Sequence, residues 1–317
     1  MAEYQATIHT AEVTPILDGW TRTQMSEWAS GVYEAHHPFI NRISPKPFTD
    51  GYKLVLNLHR LEGKRMEDGR YRFEYEPLSQ YEREMEAVCD LLRIPGFITN
   101  RLDVCLDTAT PYEETEKLTR YIMLALAEEI SEGKGWEIYE SIHPQTLQRL
   151  TTRAQNGDRQ YKTREMEHYN RTTVDQSQYD FEVVNRFELR AMGSCAGKTR
   201  TNREIVEKWF ERFKGLSDEH FEAVEKKTSE GLANEWRTRI ARGTEDSATA
   251  FNFFLANNDE HIYTQRQMAD LFERRGSSKA NSKKFRQRGG RGMILYNRKQ
   301  VREEVSAMKK ALKTFLK

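Results

Sequence analysis

The chain has 317 residues, 37% of them apolar, with 50 Lys and Arg against 49 Asp and Glu. At ~100–200 residues per domain, two or three domains with a sizeable core are expected; no run approaches the ~18–20 apolar residues of a membrane span, and Met1–Thr10 lacks the order of a secretory signal, so a soluble cytoplasmic protein without a membrane partner is expected. The near-neutral net charge hides an asymmetry: Arg274–Lys317 holds 15 bases against Glu303 and Glu304, a net +13, while residues 1–273 carry 35 bases and 47 acids, a net −12, so the C-terminal end is suited to a polyanion.

Three cysteines, Cys89, Cys105 and Cys195, are widely spaced and odd in number. This fits a reducing compartment and excludes both a disulfide framework and a Cys-rich zinc site.

Along residues 50–76, Tyr52, Leu54, Leu56 and Leu58 alternate with polar residues, as do Tyr71, Phe73 and Tyr75 after the polar run Glu62–Arg70, and the pattern predicts a β-hairpin. Leu78, Tyr81, Met85, Val88, Leu91 and Leu92 fall at helical spacing, closed by Ile94-Pro95-Gly96. Asn100–Asp107 reads as a strand with Leu102, Val104 and Leu106 on one face and Asp103, Cys105 and Asp107 on the other. Thr110-Pro111, followed by Glu113, Glu114 and Glu116, opens a helix to about Ser131.

Trp136–Tyr139, Gln160–Asn170 and Glu182–Arg190 are further strand candidates, the last alternating Phe187 and Leu189 with Arg186, Glu188 and Arg190. The simplest assembly is an α+β body with a mainly antiparallel sheet and flanking helices. Helices are expected over Asn202–Lys214, Asp218–Ser229, Gly231–Arg242 and Asp246–Asn257, where Trp209, Phe210, Phe213 and Phe221 fall at core spacing.

From Tyr263 the order is a helix (Gln265–Arg275), a turn at Gly276, a basic helix (Ser278–Arg288), the glycine cluster Gly289-Gly290-Arg291-Gly292, a short strand Met293–Tyr296 and a helix Val301–Phe315. That is the order of a winged helix-turn-helix, and it coincides with the basic block. Lys279, Lys283, Lys284, Arg286, Arg288 and Arg291 are its candidate DNA-contacting residues. The expected divisions are residues 1–195 as the α+β body, 196–260 as a helical connector and 261–317 as the winged module.

Asp103 and Asp107 share a strand face ~13 Å apart at ~3.3 Å per residue, so both can border one site, with a third carboxylate supplied by a neighbouring strand. Glu188 is the best candidate for that role. Hard oxygen ligands of this kind suit Mg²⁺ or Mn²⁺, the ions of phosphodiester chemistry. Between these strands, Arg164–Arg171 holds Tyr169 beside His168, Glu165 and Glu167; a tyrosine near a cation can attack a phosphodiester and retain the 5′-phosphate covalently. Tyr161 is the second choice of nucleophile.

Arg101–Asp107, then His168-Tyr169-Asn170-Arg171, then Asn185–Arg190 resemble the core of the rolling-circle plasmid replication initiators of the staphylococcal type, the Rep-trans family, over roughly residues 50–195. The resemblance implies an origin-specific nickase with a metal-binding set matching Asp103, Asp107 and Glu188 and a nucleophile matching Tyr169. The winged module is additional to that core. The expected partners are duplex DNA at a replication origin, single-stranded DNA and a second copy of the chain. The alternative is an origin-binding initiator or transcriptional regulator without chemistry.

Other motifs fall away. Gly193–Thr199 lacks the glycine that a phosphate-binding loop needs at Met192, His36-His37 has no spacer between its histidines, and the sequon Asn170-Arg171-Thr172 has no use in a cytosolic chain.

Overall fold

A computed structural model describes residues 3–46, 50–130, 136–142, 149–156, 164–170, 179–180, 185–192, 201–224 and 298–317. In chain order these form β1 (Gln5–Pro15), α1 (Arg22–Glu34), β2 (Ile40–Pro45), β3 (Tyr52–Leu56), β4 (Tyr71–Arg72), α2 (Leu78–Leu92), β5 (Phe97–Thr108), α3 (Tyr112–Ile130), β6 (Trp136–Ile142), β7 (Arg149–Asn156), β8 (Arg164–Asn170), β9 (Tyr179–Asp180), β10 (Asn185–Met192), α4 (Asn202–Gly215) and α5 (Arg298–Phe315). Eight strands make one sheet in the order β2-β3-β1-β5-β10-β8-β7-β6, with every pairing antiparallel. The expected α+β class with a mainly antiparallel sheet is what the chain adopts.

Alternation decides what each sheet face meets. Leu102, Val104, Leu106, Phe187, Leu189 and Met166 are buried on one face, against which α3, α4 and α5 pack, and Phe187 meets Phe213 of α4 edge-on at 6.4 Å. Helix α4 starts with a reciprocal cap in which the Thr201 hydroxyl accepts from the Glu204 amide and the Glu204 carboxylate accepts from the Thr201 amide. Its buried side chains Ile205, Val206, Trp209 and Phe213 confirm a core role for the aromatic residues read at helical spacing, as does buried Phe221.

Two sequence expectations change. The 50–76 segment is not a hairpin: β3 pairs with β1 and β2, while Tyr71–Arg72 pairs in parallel with Tyr179–Asp180 in a separate two-stranded sheet. Leu54 and Leu56 find their partners Val13 and Ala11 on a strand some forty residues upstream, so local alternation could not name the pairing.

The last helix, read from sequence as part of the winged module, instead packs on the body. Val301, Val305, Met308, Leu312 and Phe315 recur every three or four residues and lie in the same core as β1 and α4. The buried Tyr4 hydroxyl donates to Glu304 Oε1 at 2.7 Å, and Arg203 Nη1 donates to the Leu316 carbonyl at 2.7 Å. The remaining predicted elements of the winged module, and the connector helices beyond residue 224, lie outside the described residues.

Burial of each of those five apolar side chains stabilises the fold by ~1.5–3 kcal/mol, a total comparable with the ~5–15 kcal/mol that holds a typical domain together. A chain ending at Asn297 is therefore expected to lose its cooperative thermal transition or to melt far below the full chain, as followed by circular dichroism. An unchanged melting curve would show that α5 is dispensable to the body.

Candidate functional site

The face of the sheet opposite α3, α4 and α5 is charged, and the register assembles it. Asp107 lies opposite Arg186, Cys105 opposite Glu188 and Asp103 opposite Arg190; on the other side of β10, Arg186 faces Tyr169, Glu188 faces Glu167 and Arg190 faces Glu165. Three adjacent strands thus bring Asp103, Asp107, Glu188 and Tyr169 to one surface, as the sequence suggested. His168 is on the other face. Buried between its cross-strand partners Phe187 and Thr152, it does not join Tyr169, because consecutive strand residues point to opposite sides.

At one end, Arg186 and Asp107 form a fully buried two-bonded pair, with Nε to Oδ1 at 2.7 Å and Nη2 to Oδ2 at 2.6 Å. Residues from the 58–76 segment cover it. The Tyr75 hydroxyl donates to Asp107 Oδ2 at 3.0 Å, and the Arg186 guanidinium carbon lies 5.7 Å from the Phe73 ring centre, with His59 stacked on Phe73 at 4.0 Å. Burial, then the Asp107 charge, pushes the Tyr75 phenol well above its ordinary value. Among the described residues the buried Arg186 Nη1 has no hydrogen-bond partner; it lies 4.0 Å from Glu188 Oε1.

Tyr169, half-buried, donates its hydroxyl to that same Glu188 Oε1 at 2.7 Å. His9 Nδ1 stands 3.9 Å from it. A β-bulge between Ile8 and Thr10 sets two residues against Asp103 and brings His9 to the charged face, an irregularity without a period in the sequence, which is why His9 escaped the sequence reading. Burial alone would raise the Glu188 carboxyl, but Arg190, His9 and Arg186 outweigh it and hold the group far below its ordinary value.

At the other end, Arg190 contacts Glu165, Glu167 and Glu188, and its Nε lies 3.8 Å from Asp103 Oδ2. Arg101 grips Asp103 with two bonds of 2.7 and 2.6 Å, and Arg153 Nη2 donates to Glu167 Oε1 at 2.8 Å. The arginines were visible in the sequence, but only as charge. Among the described residues no group of three or more His, Cys, Asp or Glu is arranged to hold a metal ion. The candidate set Asp103, Asp107 and Glu188 does not fit Mg²⁺ or Mn²⁺ as it stands, since each carboxylate is engaged by a guanidinium and the two aspartates serve different arginines.

Tyr161 and the candidate DNA-contacting residues Lys279, Lys283, Lys284, Arg286, Arg288 and Arg291 lie outside the described residues. No protein-family model matches the chain, and no curated protein matches it. Among solved structures, similarity is found to a rolling circle replication initiator protein from Geobacillus stearothermophilus, at 12% identity and a TM-score of 0.34 over 66% of this chain and 85% of that one. An aspartate kinase from Clostridium acetobutylicum matches at 8% identity and a TM-score of 0.19, over 62% and 33%. At these scores neither likeness bears on function.

His168 gives a pH test of the partition between faces. Burial lowers it to about 3, whereas in the unfolded chain it titrates near ~6.5. Below that pH the unfolded state binds the extra proton, so this group's contribution to stability is present above pH ~6.5 and is lost as pH falls towards the folded value. The stability difference between the parent and His168→Gln, from urea titrations, is expected to shift in the variant's favour by up to ~1.4 kcal/mol per pH unit below 6.5. A difference constant from pH 7 to 5 would show that His168 is protonated in the fold.

Proposed function

We propose that the chain is a replication initiator of a plasmid or mobile element, which binds origin DNA and cleaves one strand with Tyr169 as nucleophile. The observation that carries this reading is the Tyr169 hydroxyl on Glu188, beside a buried guanidinium nitrogen of Arg186 that makes no hydrogen bond among the described residues. A nucleophile next to an unused cationic donor is what attack on a phosphodiester needs, since the donor can accept the charge that develops on a phosphoryl oxygen. The resemblance of Arg101–Asp107, His168–Arg171 and Asn185–Arg190 to the Rep-trans core supports the same assignment.

In the reaction, Tyr169 Oη forms a bond to phosphorus as the bond from phosphorus to the 3′-oxygen breaks. The phenolic proton passes to solvent as the new bond forms; Glu188, held far below its ordinary value by Arg190, His9 and Arg186, is too weak a base to take it and serves to orient the phenol. The departing 3′-oxygen takes a proton from solvent, and the 5′-phosphate remains on Tyr169. Asp107 fixes the Arg186 plane from one side, leaving Nη1 directed towards Glu188 and Tyr169. Duplex docking falls to the basic segment carrying Lys279, Lys283, Lys284, Arg286, Arg288 and Arg291, supported by its charge and its helix–turn–helix–glycine order.

A second reading, an origin-binding initiator or regulator without chemistry, is favoured by the saturation of the carboxylates with arginine. Covalent capture separates the two. Incubated with single-stranded or supercoiled origin DNA, the parent is expected to give a denaturant-resistant protein–DNA adduct, and Tyr169→Phe none, at a stability cost of ~1.5–3 kcal/mol for the hydrogen bond lost to a buried carboxylate. An adduct that persists in Tyr169→Phe moves the role to Tyr161 or another tyrosine; no adduct in the parent favours the second reading.

The docking assignment has its own measure. Replacing Lys279, Lys283 and Lys284 with Ala together is expected to weaken duplex binding and reduce the slope of log affinity against log salt by ~0.9 for each phosphate no longer neutralised. An unchanged slope would remove these lysines from the interface.

A further inference from the structure

Around Arg190 four carboxylates converge from three strands: Asp103 on β5, Glu188 from its own strand β10, and Glu165 and Glu167 on β8. The oxygens are nearly all spoken for. Glu188 Oε2 accepts from Nε at 2.9 Å and from Nη2, Glu165 Oε1 accepts from Nη1, and Glu167 Oε2 lies 2.5 Å from Nη2. Of the outward oxygens, Glu167 Oε1 is bound by Arg153, both Asp103 oxygens by Arg101, and Glu188 Oε1 by Tyr169.

A hard divalent ion of the Mg²⁺ type requires about six oxygens near ~2.1 Å. Here the same kind of oxygen-rich cage encloses a planar guanidinium, whose fan of N–H donors matches carboxylates arriving from several directions. Arg190 is tethered to β10, so it fills the cage without the association cost that a free ion pays. A divalent ion would have to displace it and leave a charged guanidinium in a site that is only 13% exposed.

We infer that Arg190 is the resident cation of this carboxylate cage, a guanidinium at the two carboxylates, Asp103 and Glu188, that the cage shares with the metal set the family resemblance implies, while the third member, Asp107, is held apart by Arg186. The cage is thereby a latent metal site, vacated by shortening one side chain. The inference rests on the cage and not on the nicking reading, and metal uptake tests it whether or not the protein cleaves DNA.

The full chain and its variants are titrated with Mn²⁺ at pH 7, with free ion read by electron paramagnetic resonance and melting followed in parallel. The parent is expected to take up no Mn²⁺ at the cage, so that any uptake it shows is unchanged in Glu188→Gln. Arg190→Ala is expected to gain one equivalent that Glu188→Gln removes, and its melting temperature to rise by ~5–10 °C at 100-fold excess over the dissociation constant. Arg190→Lys, which keeps a tethered cation, is expected to gain none. If Arg190→Ala does not fold alone, folding on addition of Mn²⁺ has the same meaning, and if it folds in neither condition the parent titration decides. One equivalent bound by the parent and lost in Glu188→Gln overturns the inference, as does a folded Arg190→Ala that binds no ion.

Discussion

Removing a guanidinium from water costs several kcal/mol unless its partners recover that energy, and Arg186 is entirely buried. Asp107 supplies two short hydrogen bonds and the compensating charge, Phe73 offers a ring face, and Tyr75 fixes the second aspartate oxygen from above. Loss of Asp107 alone would leave an uncompensated buried charge, a defect of ~3–5 kcal/mol. The pair therefore constrains its surroundings. Asp107 and Arg186 are directly opposed in the β5–β10 register, and a slip of one residue would turn Arg186 into the apolar layer against α4. The same contacts hold the 58–76 segment over the sheet, although its strand Tyr71–Arg72 contributes nothing to the eight-stranded ladder.

From this constraint follows the character of the charged face. Its groups were drawn from strands distant in the chain and set at fixed spacing by backbone hydrogen bonds, so the arginines and carboxylates meet without a loop to position them. A group held this way reorganises little when charge develops nearby. Tyr169 is at the boundary of the buried network, with its hydroxyl on a buried carboxylate and its ring half-exposed. Charge deeper in the layer is balanced and fixed; charge at its margin can still meet a ligand.

Long periodic elements were legible in the sequence. The helix expected from the spacing of Leu78 to Leu92 spans those residues, and the strand around Asp103 and Asp107 extends only a few residues beyond its expected ends. Strand β7, Arg-Leu-Thr-Thr-Arg-Ala-Gln-Asn, carries little apolar signal because one of its faces belongs to the charged layer. In β1 two register shifts break the alternation that would have marked it. For the site, period-two reasoning put Asp103 and Asp107 on one face and Glu188 on the polar face of its own strand, but it did not bring Tyr169 to them and could not tell which cation they face. That depends on cross-strand register, and register here joins β5 to a strand some eighty residues later. His168 is the reverse case, a sequence neighbour of Tyr169 that the same period sends into the core.

The basic block at the C-terminal end also has a more particular meaning than its net charge of +13 suggested. Seven of its fifteen bases belong to residues 298–317, where Lys299, Arg302, Lys310, Lys313 and Lys317 are exposed on a helix whose apolar side is sealed against β1 and α4. Helix α5 covers the apolar face of the sheet, while Tyr169 and Arg186 lie on the other. A polyanion resting on the outer surface of α5 would be separated from Tyr169 by a helix and a sheet, roughly 20 Å of protein. A phosphodiester at Tyr169 would therefore have to find its positive charge on the tyrosine's own side, where the described residues offer Arg101, Arg153, Arg186 and Arg190. The exposed bases of α5 and the charged face around Tyr169 are separated by the sheet itself, and a strand engaging both would have to pass around its edge.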